Sequence, residues 1–237
     1  MKIALLGYGK MGREVEQAAL ATNHTITLII ADEPDWKLKV HELKECDVAI
    51  DFSMPAAVEA NVKYCFEAGI PVVVGTTGWY QHFEKIKHQC LEANGSLLYA
   101  TNFSIGVNIF FEINRRLASL LDTYPNYKPL LTEIHHTQKL DAPSGTAITL
   151  ANEIIAANSH YNSFSGPEAA SDAIPVVSIR EGLVTGTHTV TWASEIDEIS
   201  ITHEAKNRKG FAFGAVMAAE WLINKKGIYT INNMLNF

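Results

Sequence analysis

The sequence predicts an α/β protein in two parts: a doubly wound parallel sheet over residues 1–104, and an α+β unit with an open mixed sheet over residues 105–208. Three observations lead there. Short apolar runs alternate with helical stretches through the first part, the pattern of strand–helix–strand units whose strands lie parallel. That alternation stops after residue 104, where two longer helical stretches flank one apolar run. Beyond residue 174 come three strand-like runs, and in one of them Thr187, Thr189 and Thr191 alternate with His188, Val190 and Trp192. A period of two with one polar side marks an antiparallel strand with one buried face.

Residues 2–6 form a short apolar run and read as a buried strand, with residues 7–12 as the glycine-rich turn after it and residues 10–21 as a helix. Residues 25–30 and 47–51 are the next strands. A helix opens near Pro55, since proline is at home in a first helical turn. Residues 70–74 are a fourth strand followed by the turn 75–78, residues 81–93 a helix, and residues 96–100 a fifth strand. In the second part, residues 106–121 and 144–157 read as helices and 130–136 as a strand. Residues 158–173, rich in Ser, Asn, Gly and Ala, read as a loop and the most mobile segment. Strands follow over 175–180, 186–193 and 195–203. A helix over residues 211–224, carrying Phe211, Val216, Ala219, Trp221 and Leu222, is expected to return to the first sheet, so that residues 209–237 complete the first domain.

Composition narrows the function. Hydrophobic residues make up 47% of the chain, enough to bury a sizeable core, and the net charge of −7 argues against non-specific binding to nucleic acid. Cys46, Cys65 and Cys90 are scattered, odd in number and without C-x-x-C spacing, as in a reduced cytoplasmic protein with neither a disulfide framework nor a thiolate metal site. The apolar run at the N-terminus is too short for a signal peptide, and no run approaches the ~20 residues of a membrane span.

Gly7, Gly9 and Gly12 follow the first strand and open the first helix in G-x-G-x-x-G spacing. The first glycine permits the tight turn, the second lets the backbone approach a pyrophosphate, and the third allows close helix–strand packing, with the helix N-terminus facing the phosphates. Asp32 stands 20 residues beyond Gly12, where a Rossmann-type dinucleotide site places the acid that bonds the ribose hydroxyls. Glu33 beside it, and the lack of Arg or Lys at 32–34, would repel a 2′-phosphate, so NADH is expected over NADPH, with Lys37 as the nearest cation that could reverse the preference. Tyr8, Lys10 and Met11 complete the turn. Gly75, Thr76 and Thr77 after the fourth strand, and Ala100, Thr101, Asn102 and Phe103 after the fifth, lie on the same carboxyl edge and are candidates for the nicotinamide end.

The run 133–147 carries the chemistry. His135, His136 and Lys139 put three cationic or protonatable groups within five residues, and a helix start follows at once, with Ser144 as N-cap candidate and the amides of Gly145 and Thr146 free to face a carboxylate. Histidine titrates near neutrality and can give a proton in a reduction, with an activity limb near pH 6–8. Adjacent histidines on a strand point to opposite faces, and no third His or Cys stands at ligand spacing, so no metal is expected. Together the two motifs point to a nicotinamide-dependent reductase of a small di-acid. Another Rossmann-type di-acid dehydrogenase and a non-catalytic NAD sensor remain alternatives on these residues alone.

Across the whole chain the sequence resembles the 4-hydroxy-tetrahydrodipicolinate reductase family. The resemblance rests on the residues at 7–12, 51–53, 75–78, 102–108 and 133–136, on Lys139, on Asp141-Ala-Pro-Ser-Gly-Thr-Ala147, and on the residues at 180–182 and 203–205 with Arg208. It implies NAD(P)H-dependent reduction of a cyclic dicarboxylate in the diaminopimelate route to lysine, and a second domain that binds substrate and builds a homotetramer. It also implies His135 as general acid, Lys139 as a second catalytic residue, and His136, Gly145 and Thr146 as substrate contacts. The chain departs from the family pattern in its shorter glycine turn and in Glu33, where several members place an Arg.

Overall fold

The computed structural model describes residues 1–207 and 209–237. Arg208, one of the residues that carry the resemblance, lies outside the described residues. The chain divides into two compact units, Met1–Ile105 with Lys209–Phe237, and Gly106–Arg208.

In the first unit β1 (Lys2–Leu6), α1 (Lys10–Ala21) and β2 (Thr25–Ile30) stand where the apolar periodicity puts them. Between β2 and the next strand, where no element is predicted, stand α2 (Glu33–Lys39), capped by Asp32, and a 3-10 turn at Val40–Glu45. At seven residues α2 is too short to leave a clear periodic signal. Then come β3 (Val48–Asp51), α3 (Val58–Ala68), β4 (Val72–Val74), α4 (Phe83–Glu92) and β5 (Ser96–Tyr99).

The second unit holds α5 (Ile105–Leu121), β6 (Lys128–His135), α6 (Gly145–Ala157), β7 (Ser163–Ser165), β8 (Ala173–Arg180), β9 (Thr187–Ala193) and β10 (Glu198–Glu204). The segment read as a loop over 158–173 thus contains a short strand, held parallel to β8. The chain returns to the first unit through α7 (Lys209–Leu222), β11 (Gly227–Thr230) and α8 (Ile231–Leu235). The sequence reading found the helix but not β11, a four-residue edge strand with every residue half-buried, whose pattern lacks alternation.

The first sheet runs β11-β5-β4-β3-β1-β2, and every pair is parallel. Its strands are buried on both faces, so successive side chains serve two cores. Ile3, Leu5, Val48 and Ile50 face the core under α1 and α7, whereas Ala4, Leu6, Ala49 and Val72 face the opposite core, which also holds Val58, Val62 and Ile86. The order reverses between β1 and β3, so the edge beyond Leu6 and Asp51 is the switch point at which such sheets bind ligands. The second sheet is mixed, in the order β10-β9-β6-β8-β7, with β9 antiparallel to β6 and β10 while β8 is parallel to β6. Leu131, Val190 and Trp192 turn inward onto Phe110 of α5 and Leu150 of α6. On the other face the hydroxyls of Thr189 and Thr202, and of Thr191 and Ser200, pair at 3.0 and 2.9 Å.

Close approach holds the returning helix down. Ala212, Ala215, Ala218 and Ala219 of α7 are fully or almost fully buried. A Cβ built on Gly214 would stand 1.7 Å from the Phe103 carbonyl oxygen, a backbone atom that cannot swing aside. Gly214→Ala should therefore lower unfolding stability by about 2–3 kcal/mol, the cost of overpacking a close contact, read as a lower urea midpoint at unchanged m-value.

Candidate active site

The glycine turn is built for close approach. Gly7 has φ +89°, and a Cβ there would stand 2.3 Å from the Phe52 carbonyl oxygen; one on Gly12 would stand 2.3 Å from the Gly7 carbonyl oxygen. Around Gly9, by contrast, there is nothing within 4 Å. Gly9 is the N-cap of α1 and offers no side-chain cap, so the first amides of the helix are left for another acceptor. Gly7, Tyr8 and Gly9 line a pocket of about 580 Å³ together with Asp32, Glu33 and Met54, at the switch point of the sheet. Lys10, Met11 and Gly12 continue into α1; the Tyr8 hydroxyl donates to Glu16 at 2.5 Å.

Asp32 accepts the Asp35 amide at 3.2 Å and so starts α2. Glu33 and Asp35 each have a lysine one turn on: Lys37 Nζ lies 3.8 Å from Glu33 and Lys39 Nζ 2.7 Å from Asp35.

Beneath the pocket lies Asp51, fully buried. It accepts from Thr76 Oγ1 at 2.6 Å, from the Ser53 hydroxyl and amide at 2.8 and 3.0 Å, and from Asn61 Nδ2 at 2.8 Å. Asn61 Oδ1 in turn accepts Trp36 Nε1 at 2.8 Å. Burial pushes the Asp51 carboxyl above its ordinary value, while these donors pull it back. The Thr76 side chain is therefore spent on the scaffold. Gly75 is needed for packing, because a Cβ there would strike the Phe52 ring at 2.2 Å. Thr77 and Thr101 are exposed, Ala100 and Phe103 buried, and Asn102 Oδ1 accepts the Ser104 amide at 2.8 Å. None of Gly75–Thr77 or Ala100–Phe103 is among the residues lining the pocket.

In the second unit β6 ends at His135, which is buried, and His136 follows it half-buried. Lys139 Nζ pairs with Asp141 at 2.8 Å. Ser144 caps α6, its hydroxyl accepting the Ala147 amide at 3.2 Å, and the amides of Gly145 and Thr146 fall at the start of the helix, where no intrahelical acceptor exists.

The residue that ties this segment together is Glu133, which sequence reasoning did not single out for a role. It is fully buried two residues before His135 on the same strand face. Its Oε1 accepts the Ser144 amide and Arg180 Nη2, each at 3.0 Å; its Oε2 lies 2.8 Å from His135 Nδ1. Burial pushes the Glu133 carboxyl up, but the bonds from Ser144, Ser178 and Arg180 outweigh it and hold the group at about 2. Strand pairing sets Glu133 opposite His188, whose Nε2 is 3.9 Å from Glu133 and 3.1 Å from the Ser144 hydroxyl. The rings of His135 and His188 meet edge to face, centroids 5.0 Å apart.

This corrects the sequence-based expectation about a third histidine. Glu133, His135 and His188 bring one potential ligand atom each within 4.8 Å of one another. Ladder pairing, not sequence spacing, makes that cluster. Arg180 Nη2 supplies a positive charge 3.0 Å from Glu133 Oε1, and His135 Nδ1 lies 2.8 Å from Glu133 Oε2. Burial, with the Lys139 and Arg180 charges, holds the His135 imidazole below its ordinary value of 6.5 despite the pull of Glu133.

Two family models cover the chain: dihydrodipicolinate reductase N-terminus over residues 1–103 and C-terminus over residues 106–235. The chain belongs to the dihydrodipicolinate reductase family. A 4-hydroxy-tetrahydrodipicolinate reductase from Christiangramia forsetii is 48% identical over 100% of this chain and 98% of the relative. One from Akkermansia muciniphila is 35% identical over 96% of this chain and 94% of the relative. The fold matches a dipicolinate-bound dihydrodipicolinate reductase from Paenisporosarcina sp. TG-14 with a TM-score of 0.77 at 23% identity, covering 99% of each chain. A signal for the missed residues did exist. Glu133 and His135 share a strand face, and His188 lies on the inward side of the alternating run, but only the pairing register brings them together.

Burial first, then the neighbouring His135, holds the His188 imidazole down from 6.5 to about 4. In the unfolded chain the ring takes a proton near 6.5, so stability is lost as pH falls from 6.5 towards 4. The expected loss is on the order of 3 kcal/mol, measured as urea unfolding free energy, and a His188→Gln variant should show a shallower decline over that window.

Proposed function

We propose that this protein reduces 4-hydroxy-tetrahydrodipicolinate to tetrahydrodipicolinate in the diaminopimelate route to lysine, with a nicotinamide dinucleotide as co-substrate. The observation that carries the reading is the convergence of His135, Lys139 and the start of α6 on the buried Glu133, in a chain whose other unit bears the open glycine turn. Membership of the family supports the reaction, and the dipicolinate in the Paenisporosarcina structure supports a planar di-acid as the ligand class.

The residues of the first unit fit a dinucleotide. Gly9 leaves its surroundings clear for a pyrophosphate at the α1 start, with Gly7, Tyr8, Lys10, Met11 and Gly12 shaping the turn. Asp32 takes the ribose hydroxyls. Gly75–Thr77 and Ala100–Phe103 serve the nicotinamide end, Thr76 through its backbone since its hydroxyl is committed to Asp51. Bound there, the reduced nicotinamide supplies hydride to the conjugated imine of the ring. NADH is the preferred form, because the carboxylates of Asp32 and Glu33 line the pocket while Lys37 and Lys39 pair with Glu33 and Asp35, leaving the pocket hostile to a 2′-phosphate.

In the second unit Lys139, His136 and the amides of Gly145 and Thr146 hold the two carboxylates, a local positive field inside a chain of net charge −7. His135 gives the proton that the electron-rich ring needs after hydride arrives. The open threonine-lined face of the second sheet, with Leu130 and Ile179 partly exposed, is the surface through which four copies assemble. No helix among the described residues is long and apolar enough to cross a membrane, and the reading places the enzyme in the cytoplasm.

Following loss of reduced-nicotinamide absorbance with enzymatically generated substrate tests the function directly; no turnover with either nucleotide sinks it. His135→Ala should lower kcat by about 100-fold with little change in KM, whereas Lys139→Ala should lower kcat and raise KM. An NADPH preference of tenfold or more in kcat/KM would refute the reading of Asp32 and Glu33. Since His135 must be protonated to act, kcat/KM should fall as pH rises, with its midpoint below 6.5 rather than between 6 and 8, because burial depresses the ring in the free protein. The kcat limb should lie higher, as a bound dianion favours the imidazolium.

A further inference from the structure

Every substrate-side group but His136 is tied to one carboxylate. Glu133 Oε1 takes the Ser144 amide that starts α6, and Arg180 Nη2. Arg180 then extends the tie to the loop, donating to the carbonyls of Lys139 at 3.3 Å and Asp141 at 2.6 Å. Glu133 Oε2 and His135 Nδ1 are buried atoms that make no well-aligned hydrogen bond to any described residue, yet they lie 2.8 Å apart, so a small turn of the ring lets each satisfy the other. Since Glu133 is ionised, the proton between them belongs to Nδ1. The second ring nitrogen, Nε2, lies 3.0 Å from where a Cβ on Gly186 would stand, so only a glycine at 186 leaves room at that nitrogen.

The geometry points to Glu133 as the positioning residue of the reaction: it keeps the resting proton of His135 on Nδ1, making Nε2 the nitrogen that loads and delivers the catalytic proton, and through Arg180 and Ser144 it sets Lys139 and the α6 start against that imidazole. The inference rests on the proposed function for the role of His135. Nε2 takes a proton from solvent, giving an imidazolium balanced by Glu133; delivery to the reduced ring returns His135 to its Nδ1–H form, and Glu133 stays ionised throughout. The charged and titratable groups around the His135 ring are Glu133 on its own strand, Arg180 on β8, His188 on β9 and Lys139 on the following loop. His188, itself facing His203, stays neutral and adds no competing charge.

Glu133→Gln separates positioning from bulk structure. The amide oxygen can still accept from Ser144 and Arg180, but the amide nitrogen now donates to Nδ1 and forces the resting proton to Nε2. The expected result is a kcat lower by about 100-fold or more at a di-acid KM changed less than about threefold, with the activity limb moved to lower pH because the anion favouring the imidazolium is gone. Unchanged kcat and an unmoved limb in the folded variant overturn the proposal. Imidazole nitrogen-15 NMR of the wild-type protein decides independently of whether the variant folds: an Nδ1–H tautomer for neutral His135 is expected, and an Nε2–H tautomer overturns the proposal. Wild-type protein inactive on the di-acid would remove the functional reading but leave the tautomer result standing.

Discussion

A carboxylate without access to water has to be surrounded by donors or else give up its charge. In the second unit Glu133 sits at the junction of β6, β8 and β9 with no exposure, and its ionised state is kept by Arg180, the Ser144 amide and the Ser178 hydroxyl. Removing Arg180 leaves Glu133 an unmatched buried charge, which typically costs ~3–5 kcal/mol. The positions of Arg180, of the α6 start and of the His135 ring are thus consequences of a single burial. Because Arg180 spends its remaining donors on the carbonyls of Lys139, Asp141 and Ile179, the loop between β6 and α6 inherits the rigidity of the sheet.

The first unit solves the same problem without a cation. Asp51, at the end of β3, collects two hydroxyls, an amide nitrogen of the backbone and the Asn61 side chain. With only neutral donors, burial outweighs them and its carboxyl rises, whereas that of Glu133 falls to about 2. At Glu133 the bonds from Ser144 and Ser178, joined by that from Arg180, outweigh burial. What Asp51 provides is geometry. It fastens the Ser53 turn, α3 and the Thr76 turn to one point, and through Asn61 and Trp36 it reaches α2 beside Asp32. The carboxyl edge of the sheet is thereby held as one piece.

Much of this was legible in the sequence, for identifiable reasons. β1, α1 and β2 follow from local periodicity, and the glycine turn and the Ser144 cap follow from local steric and hydrogen-bond chemistry. The residues 133–147 announced themselves by density of charge. What stayed hidden depends on ladder register. Nothing in the spacing of Glu133 and His188 says that they face each other, and Arg180 reaches Glu133 only because β8 runs parallel beside β6. The short α2, β7 and β11 escaped because a few half-buried residues do not complete a recognisable period, and their formation is decided by the neighbours they pack against.

If Lys139 holds a substrate carboxylate, as proposed, its contact with Asp141 explains how such a rigid frame accepts a ligand. The Lys139 side chain is largely covered, while Asp141 is mostly exposed and can return to water at little cost. An incoming carboxylate therefore need not break a buried interaction. It replaces one exposed anion by another at a fixed ammonium, and the strong ties, from Glu133 to Arg180, Ser144 and His135, are left untouched. On that proposal, affinity for a di-acid depends on the difference between two carboxylate contacts to the same lysine, supplemented by the helix-start amides. So arranged, a protein of net negative charge would hold a dianion without maintaining unpaired positive charge in its absence.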